Sequence, residues 1–283
     1  MPRPRSSALE LAQRWKLALD RTPPRGPAGE RLGRGTGSSL EFQDRRAYSV
    51  GDDVRHVDWR ALARTDQVLV RLWREEVLAR VEIVVDASRS MAIAPEKEQL
   101  AVDLTALLAR AALEAGAQPA VVRLDARPRL VALDELDSKG LEFDGRAPLL
   151  ESTRAASSLF RNGAVQIVLS DFLSPHDATE LVRPLGARAG ALALVQVLTP
   201  DESLPPVGVA QRLIDCETDE ALDLVLDAPT VAAYCKRLQR LTDALDVEAR
   251  RARGRFVQLS TAHSLESICR ERLAREGLLT PSN

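Results

Sequence analysis

The sequence predicts an α/β protein, a doubly wound, mainly parallel sheet with a small antiparallel β appendage. Three observations carry this expectation. Val81–Val85, Val165–Ser170 and Ala191–Leu198 are near-continuous apolar runs, the signature of strands buried on both faces. Helical stripes alternate with them, most clearly Leu100, Leu104, Leu107, Leu108 and Ala111. Segments 35–78 and 210–227 instead hold short strands with no helices between, and such hairpins are stable only when paired.

The elements follow in order. Residues 7–20 form a mediocre helical stripe that Thr22–Pro27 stops as a linker. Gly33, Gly35 and Gly37 make a glycine-rich loop, but without a preceding strand and following helix it is no nucleotide site. Glu41–Tyr48 and Val68–Trp73 read as strands around the turn at Gly51-Asp52-Asp53. A strand at 81–86 precedes a helix at 97–115, which Gly116 ends. Ala120–Leu124 and Leu130–Leu133 are strands around a turn, and a helix at 148–161 ends at Asn162-Gly163. After the strand at 165–170 come a helix at 177–188 and the strand at 191–198. Arg212–Cys216 and Leu222–Leu226 are short strands. A helix at 229–252, a strand at 255–260 and a helix at 264–277 complete the chain. The organisation is therefore 1–34 helix and linker, 35–80 β-rich segment and 81–200 core. An insertion at 201–228 packs on the β-rich segment, and 229–283 completes the core.

Composition excludes several classes. The chain has 45% apolar and 28% charged residues with a formal charge of −2, which argues against a general nucleic-acid or membrane-surface binder. Residues 1–34 are locally basic and read as a solvated arm. The three cysteines, Cys216, Cys235 and Cys269, show no C-x-x-C spacing, so a reducing cytoplasm is the expected compartment. No apolar stretch is long enough for membrane insertion or a leader segment.

The chemistry concentrates at strand ends. Asp86-Ala87-Ser88-Arg89-Ser90 follows the first core strand and offers one carboxylate and two hydroxyls, hard oxygen ligands suited to Mg²⁺ or Mn²⁺. Asp171 tips the strand at 165–170. If the two strands are neighbours, Asp86, Ser88, Ser90 and Asp171 converge where open α/β sheets bind ligands. Helix and loop capping is the competing reading of these residues.

Gly-x-Gly at 35–37, Glu41-Phe42, Arg46-x-Tyr48, Gly51-Asp52-Asp53, Arg55, Asp58-Trp59-Arg60, Ala63-Arg64 and Glu75 precede that motif. Together these residues resemble the bacterial family called domain of unknown function 58. Asp215-Cys216-Glu217 before a helix containing Tyr234 extends the likeness. The resemblance implies a von Willebrand factor A-like core, a metal-ion-dependent adhesion site, and a MoxR-type AAA+ ATPase with a client as partners. It also implies a threonine ligand from a Gly-Gly-Thr-Pro-Leu-like segment. Gly145-Arg146-Ala147-Pro148-Leu149 stands there instead, with Ser152 and Thr153 a turn further on, so metal affinity should be weak.

Two further readings stay open. Arg55, Trp59, Arg60 and Arg64 form either a self-satisfied ion-pair network around a buried Trp or a partner-docking face. The expected role is a non-catalytic interaction module. A metal-assisted hydrolase using Asp86, Asp171 and His176 is the alternative.

Overall fold

A computed structural model describes residues 1–19, 40–49, 51–75, 79–174, 176–208, 210–214 and 221–282. The 22–27 linker, the Gly33–Gly37 loop and Asp215-Cys216-Glu217 lie outside the described residues. Two units are present: Met1–Pro24 with Ala79–Asn283, and Arg25–Leu78.

The N-terminal segment opens the first unit. Its helix α1 (Ser6–Ala12) is shorter than expected, and the chain continues as strand β1 (Trp15–Leu17). The buried residues Ala8, Leu11 and Ala12 lie on one face of α1, which packs on the main helix described below. Arg5 donates from its backbone N and from Nε to Asp103, at 2.8 and 2.6 Å, and the Asp103 side chain is fully buried. The described part of the basic arm is therefore docked rather than simply solvated.

In the second unit, β2 (Leu40–Ala47) and β3 (Leu69–Glu75) pair antiparallel, with a register shift between Phe42 and Asp44. The expectation of a helix-free segment fails here. Helix α2 (Trp59–Thr65) lies between the strands because Asp58 caps it, accepting from the Arg60 and Ala61 amides at 3.2 Å. Asp66 ends it in the left-handed region.

The rest of the first unit alternates strand and helix: β4 (Arg80–Asp86), α3 (Pro95–Glu114), β5 (Gln118–Leu124), β6 (Arg129–Val131), α4 (Leu133–Lys139), α5 (Leu149–Ala155), β7 (Val165–Ser170), α6 (Ala178–Gly186), β8 (Ala191–Leu198) and α7 (Pro200–Ser203). A ribbon of β9 (Ala210–Ile214) and β10 (Ala221–Val225) precedes α8 (Ala228–Arg251), β11 (Arg255–Ser260), α9 (Leu265–Ser267), a π-helical stretch at Ile268–Leu273, and β12 (Leu279–Pro281), which pairs with β1. The six-stranded sheet has the order β11-β8-β7-β4-β5-β6, parallel throughout except for β6.

Several boundaries differ from the sequence reading. The helix expected at 148–161 ends at Ala155 and is followed by a 3₁₀ turn, and α4 was not anticipated. The ribbons β2–β3 and β9–β10 are separate sheets.

Side-chain alternation on the parallel strands feeds two cores. Val81, Ile83, Val85, Ile167, Leu169 and Val195 face α3 and the C-terminal residues Ile268, Cys269 and Leu273. Val84, Val168, Leu192 and Leu194 face α6 and α8 through Leu181, Leu185, Leu245 and Ala249. Both faces are covered, which explains the near-continuous apolar runs. Helix α3 is buried well beyond its leucine stripe, taking in Lys97, Asp103 and Thr105, and the N-terminal segment covers it at Asp103. Among the described residues no helix is long and apolar enough to cross a membrane.

Candidate functional site

The adjacency on which the site depends is present. β4 and β7 are parallel neighbours with Val85 opposite Leu169, so Asp86 and Asp171 emerge at one edge of the sheet. The strand order also reverses here, with β5 on one side of β4 and β7 on the other. Asp86 is buried. Its Oδ1 accepts from the Ser88 amide at 3.0 Å and its Oδ2 from the Ser170 hydroxyl at 2.6 Å. The Ser88 and Ser90 hydroxyls bond each other at 2.9 Å. Burial pushes the Asp86 carboxyl up to about 6, and the charge of Asp171 acts in the same direction. The bonds from Ser170 and Ser88 pull the other way.

The neighbouring loop is fixed by backbone contacts. Gly145 bridges Ser88, accepts from the Arg89 amide and donates to the Ala87 carbonyl. A Cβ at Gly145 would lie 2.9 Å from that carbonyl, so the close approach requires glycine. The 145–149 segment thus lies where the resemblance implies a threonine, and Ala147 brings no hydroxyl there. Neither neighbour compensates. The Thr153 hydroxyl donates to the Leu149 carbonyl at 2.8 Å, and the buried Ser152 Oγ has no partner among the described residues.

Two residues central to this edge were missed in the sequence. Lys97, in the first turn of α3, is fully buried, and its ammonium donates to Asp171 Oδ2 at 2.8 Å, Glu202 Oε1 at 2.6 Å and the Ser90 carbonyl at 3.0 Å. Burial alone would lower the lysine pKa, but the charges of Asp171 and Glu202 outweigh it and the net shift is upward. Glu202 is held by a capping box, with its Oε2 on the Thr199 amide and the Thr199 hydroxyl on the Glu202 amide. Its backbone carbonyl accepts from the Tyr234 hydroxyl of α8 at 2.6 Å. Thr-Pro-Asp-Glu directly after a buried strand was a legible signal for this turn.

The donor set suits a divalent ion poorly. Asp171 gives one oxygen to Lys97 and the other to the Leu173 amide, and both Asp86 oxygens are engaged. A cation added beside Asp171 would also meet the ammonium. Unit charges about 4 Å apart repel by about 4 kcal/mol at a protein-like dielectric, and a divalent ion doubles that.

The other candidates lie elsewhere. His176 directs Nδ1 to the Ser174 carbonyl at 2.7 Å, and its buried Nε2 has no partner among the described residues, so its contacts do not join it to Asp86 or Asp171. In the 25–78 unit Trp59 is 61% exposed, which removes the buried-Trp reading of that block. Arg60 and Arg64 are exposed one helical turn apart on α2, and Arg55 bonds Asp53.

Comparison with known proteins places the chain. The family model described as protein of unknown function DUF58 matches residues 44–133 and 145–242. The chain belongs to this family. Two of its relatives are the uncharacterized protein Rv1480 of Mycobacterium tuberculosis and the uncharacterized protein Mb1516 of Mycobacterium bovis. Each is 30% identical over 203 residues, or 64% of this chain. The match spans 62% of the length of those relatives. Solved structures similar to it include an aerotolerance-related membrane protein from Bacteroides fragilis, at 14% identity and TM-score 0.41 over 70% of this chain and 99% of that one. Another is the conserved hypothetical protein BatB from Bacteroides thetaiotaomicron, at 13% identity and TM-score 0.38 over 70% of this chain and 98% of that one.

Proposed function

We propose that the protein is a cytoplasmic, non-catalytic interaction module with a von Willebrand factor A-like core. In this reading it acts as an adaptor or assembly factor between a MoxR-type AAA+ ATPase and a client. The ATPase partner is what the resemblance to the family implies, and the test below is aimed at it. The observation that carries the reading is the exposed face of α2, where a largely exposed Trp59 stands beside exposed Arg60 and Arg64. Trp and Arg dominate the energetics of protein interfaces, and here they share one exposed helical face.

The test uses the full chain and a purified MoxR-type ATPase from the same organism. Titration of wild type against Trp59→Ala/Arg60→Ala/Arg64→Ala should show at least about a hundredfold loss of affinity, since each such anchor contributes roughly 1–2 kcal/mol or more. The melting temperatures should coincide. Equal binding by the triple variant, or no binding by the wild type, sinks the reading.

A further inference from the structure

We propose that the Lys97 ammonium takes the place of the divalent ion at this edge, making the Asp86, Ser88, Ser90 and Asp171 cluster a metal-independent centre held by an internal cation. Three lines of observation carry the proposal, and it does not depend on the identity of the partner.

The first is geometric. An ammonium has three donors, and Lys97 places one on each of three acceptors at 2.6, 2.8 and 3.0 Å. These acceptors come from three chain segments: the loop after β4, through the Ser90 carbonyl; the end of β7, through Asp171; and the turn after β8, through Glu202. A single cation thus ties the loop after β4 to the end of β7, two segments that a bound ion would also have to join, and adds the turn after β8. Two of the three acceptors belong to residues that the sequence had assigned to the ion.

The second is the position of the lysine itself. The first turn of a helix favours acidic side chains, because its free amides carry partial positive charge. A lysine there is opposed by the helix, and complete burial opposes its charge again. An apolar residue would fill the same space without either penalty. The charge is retained because Asp171 and Glu202 meet it, and Glu202 is pre-positioned by its capping box and by Tyr234.

The third is what is lacking on the other side. The segment at 145–149 carries Ala147 in place of a hydroxyl, and Thr153 spends its hydroxyl on its own helix. The change at Ala147 and the cation at Lys97 are then two parts of one exchange, with a ligand lost and a built-in charge gained.

Mn²⁺ binding followed by electron paramagnetic resonance, together with melting curves in millimolar Mg²⁺ and in EDTA, tests this. The wild type should bind no Mn²⁺, and its melting curves should coincide in the two media. Ala147→Thr restores the hydroxyl but keeps the ammonium, so it should also bind none. Lys97→Met, once circular dichroism and gel filtration show it folded, should bind one Mn²⁺. It should also melt higher in Mg²⁺ than in EDTA, and both effects should vanish in Lys97→Met/Asp171→Asn. Mn²⁺ binding by the wild type or by Ala147→Thr that is lost on Asp86→Ala overturns the proposal, as does a folded Lys97→Met that binds none. If Lys97→Met does not fold, the wild type and Ala147→Thr still decide, because neither disturbs the lysine.

Discussion

Replacing Lys97 by Met should be among the most damaging single substitutions in the α/β unit. The side chains of Lys97 and Asp171 are 0% and 2% exposed, and Glu202, the second carboxylate on the ammonium, is 14% exposed. Removing one member of a buried ion pair typically costs about 3–5 kcal/mol, because the other charge is left without a partner. At roughly 2–4 °C per kcal/mol for a large domain, the melting temperature should fall by about 6–20 °C. Asp171→Asn should cost less, since Glu202 and the Ser90 carbonyl still hold the ammonium. In Lys97→Met/Asp171→Asn the more deeply buried of the two stranded carboxylates is gone and only Glu202 is left, so the double variant should be more stable than the sum of the singles, by about 1–3 kcal/mol. Urea unfolding followed by far-ultraviolet circular dichroism measures all four corners of this cycle. Repeating it at high salt adds a control, because a buried pair is screened little. A cost below about 1 kcal/mol for Lys97→Met, or additivity within about 0.5 kcal/mol, would refute the reasoning.

Three other outcomes are expected. The Asp86 carboxyl, raised to about 6 by burial and by Asp171, stabilises the fold in its protonated form. That contribution is complete below the ordinary value of 3.8 and is lost as pH rises through about 6, amounting to about 3 kcal/mol across the window. Asp86→Asn should remove this part of the stability–pH slope between about pH 4 and 6, and equal slopes for the two proteins would contradict it. Gly145→Ala places a Cβ 2.9 Å from the Ala87 carbonyl, and should destabilise by about 1–3 kcal/mol in chemical denaturation. Burial pushes the Cys269 thiol up to about 12, so mass spectrometry should find it unmodified by iodoacetamide in the native protein at mildly alkaline pH, while the half-buried Cys235 is labelled. Rapid native labelling of Cys269 would show that its surroundings are open.

The sequence by itself determined the alternation of the main core strands with α3, α6 and α8, and the placement of one acid at each of two strand ends. The physical reason is that a strand covered on both faces is apolar along most of its length, and such runs are visible at Val81–Val85, Val165–Ser170 and Ala191–Leu198 without any knowledge of neighbours. The Asp58 cap before Trp59 and the Thr199–Glu202 box were also written in the sequence, though both were passed over. The early end of α1 was not, because β1 exists only by pairing with Leu279–Pro281 at the other end of the chain. Tertiary structure alone decided the two points on which the proposals rest. Trp59 is exposed rather than buried, which a residue's type does not reveal. Lys97 reads in sequence as an ordinary solvated lysine at a helix start, yet its carboxylate partners lie 74 and 105 residues further along the chain. Its charge is satisfied only where folding brings the ends of β7 and β8 to the first turn of α3, and long-range electrostatics of that kind leave no local pattern to read.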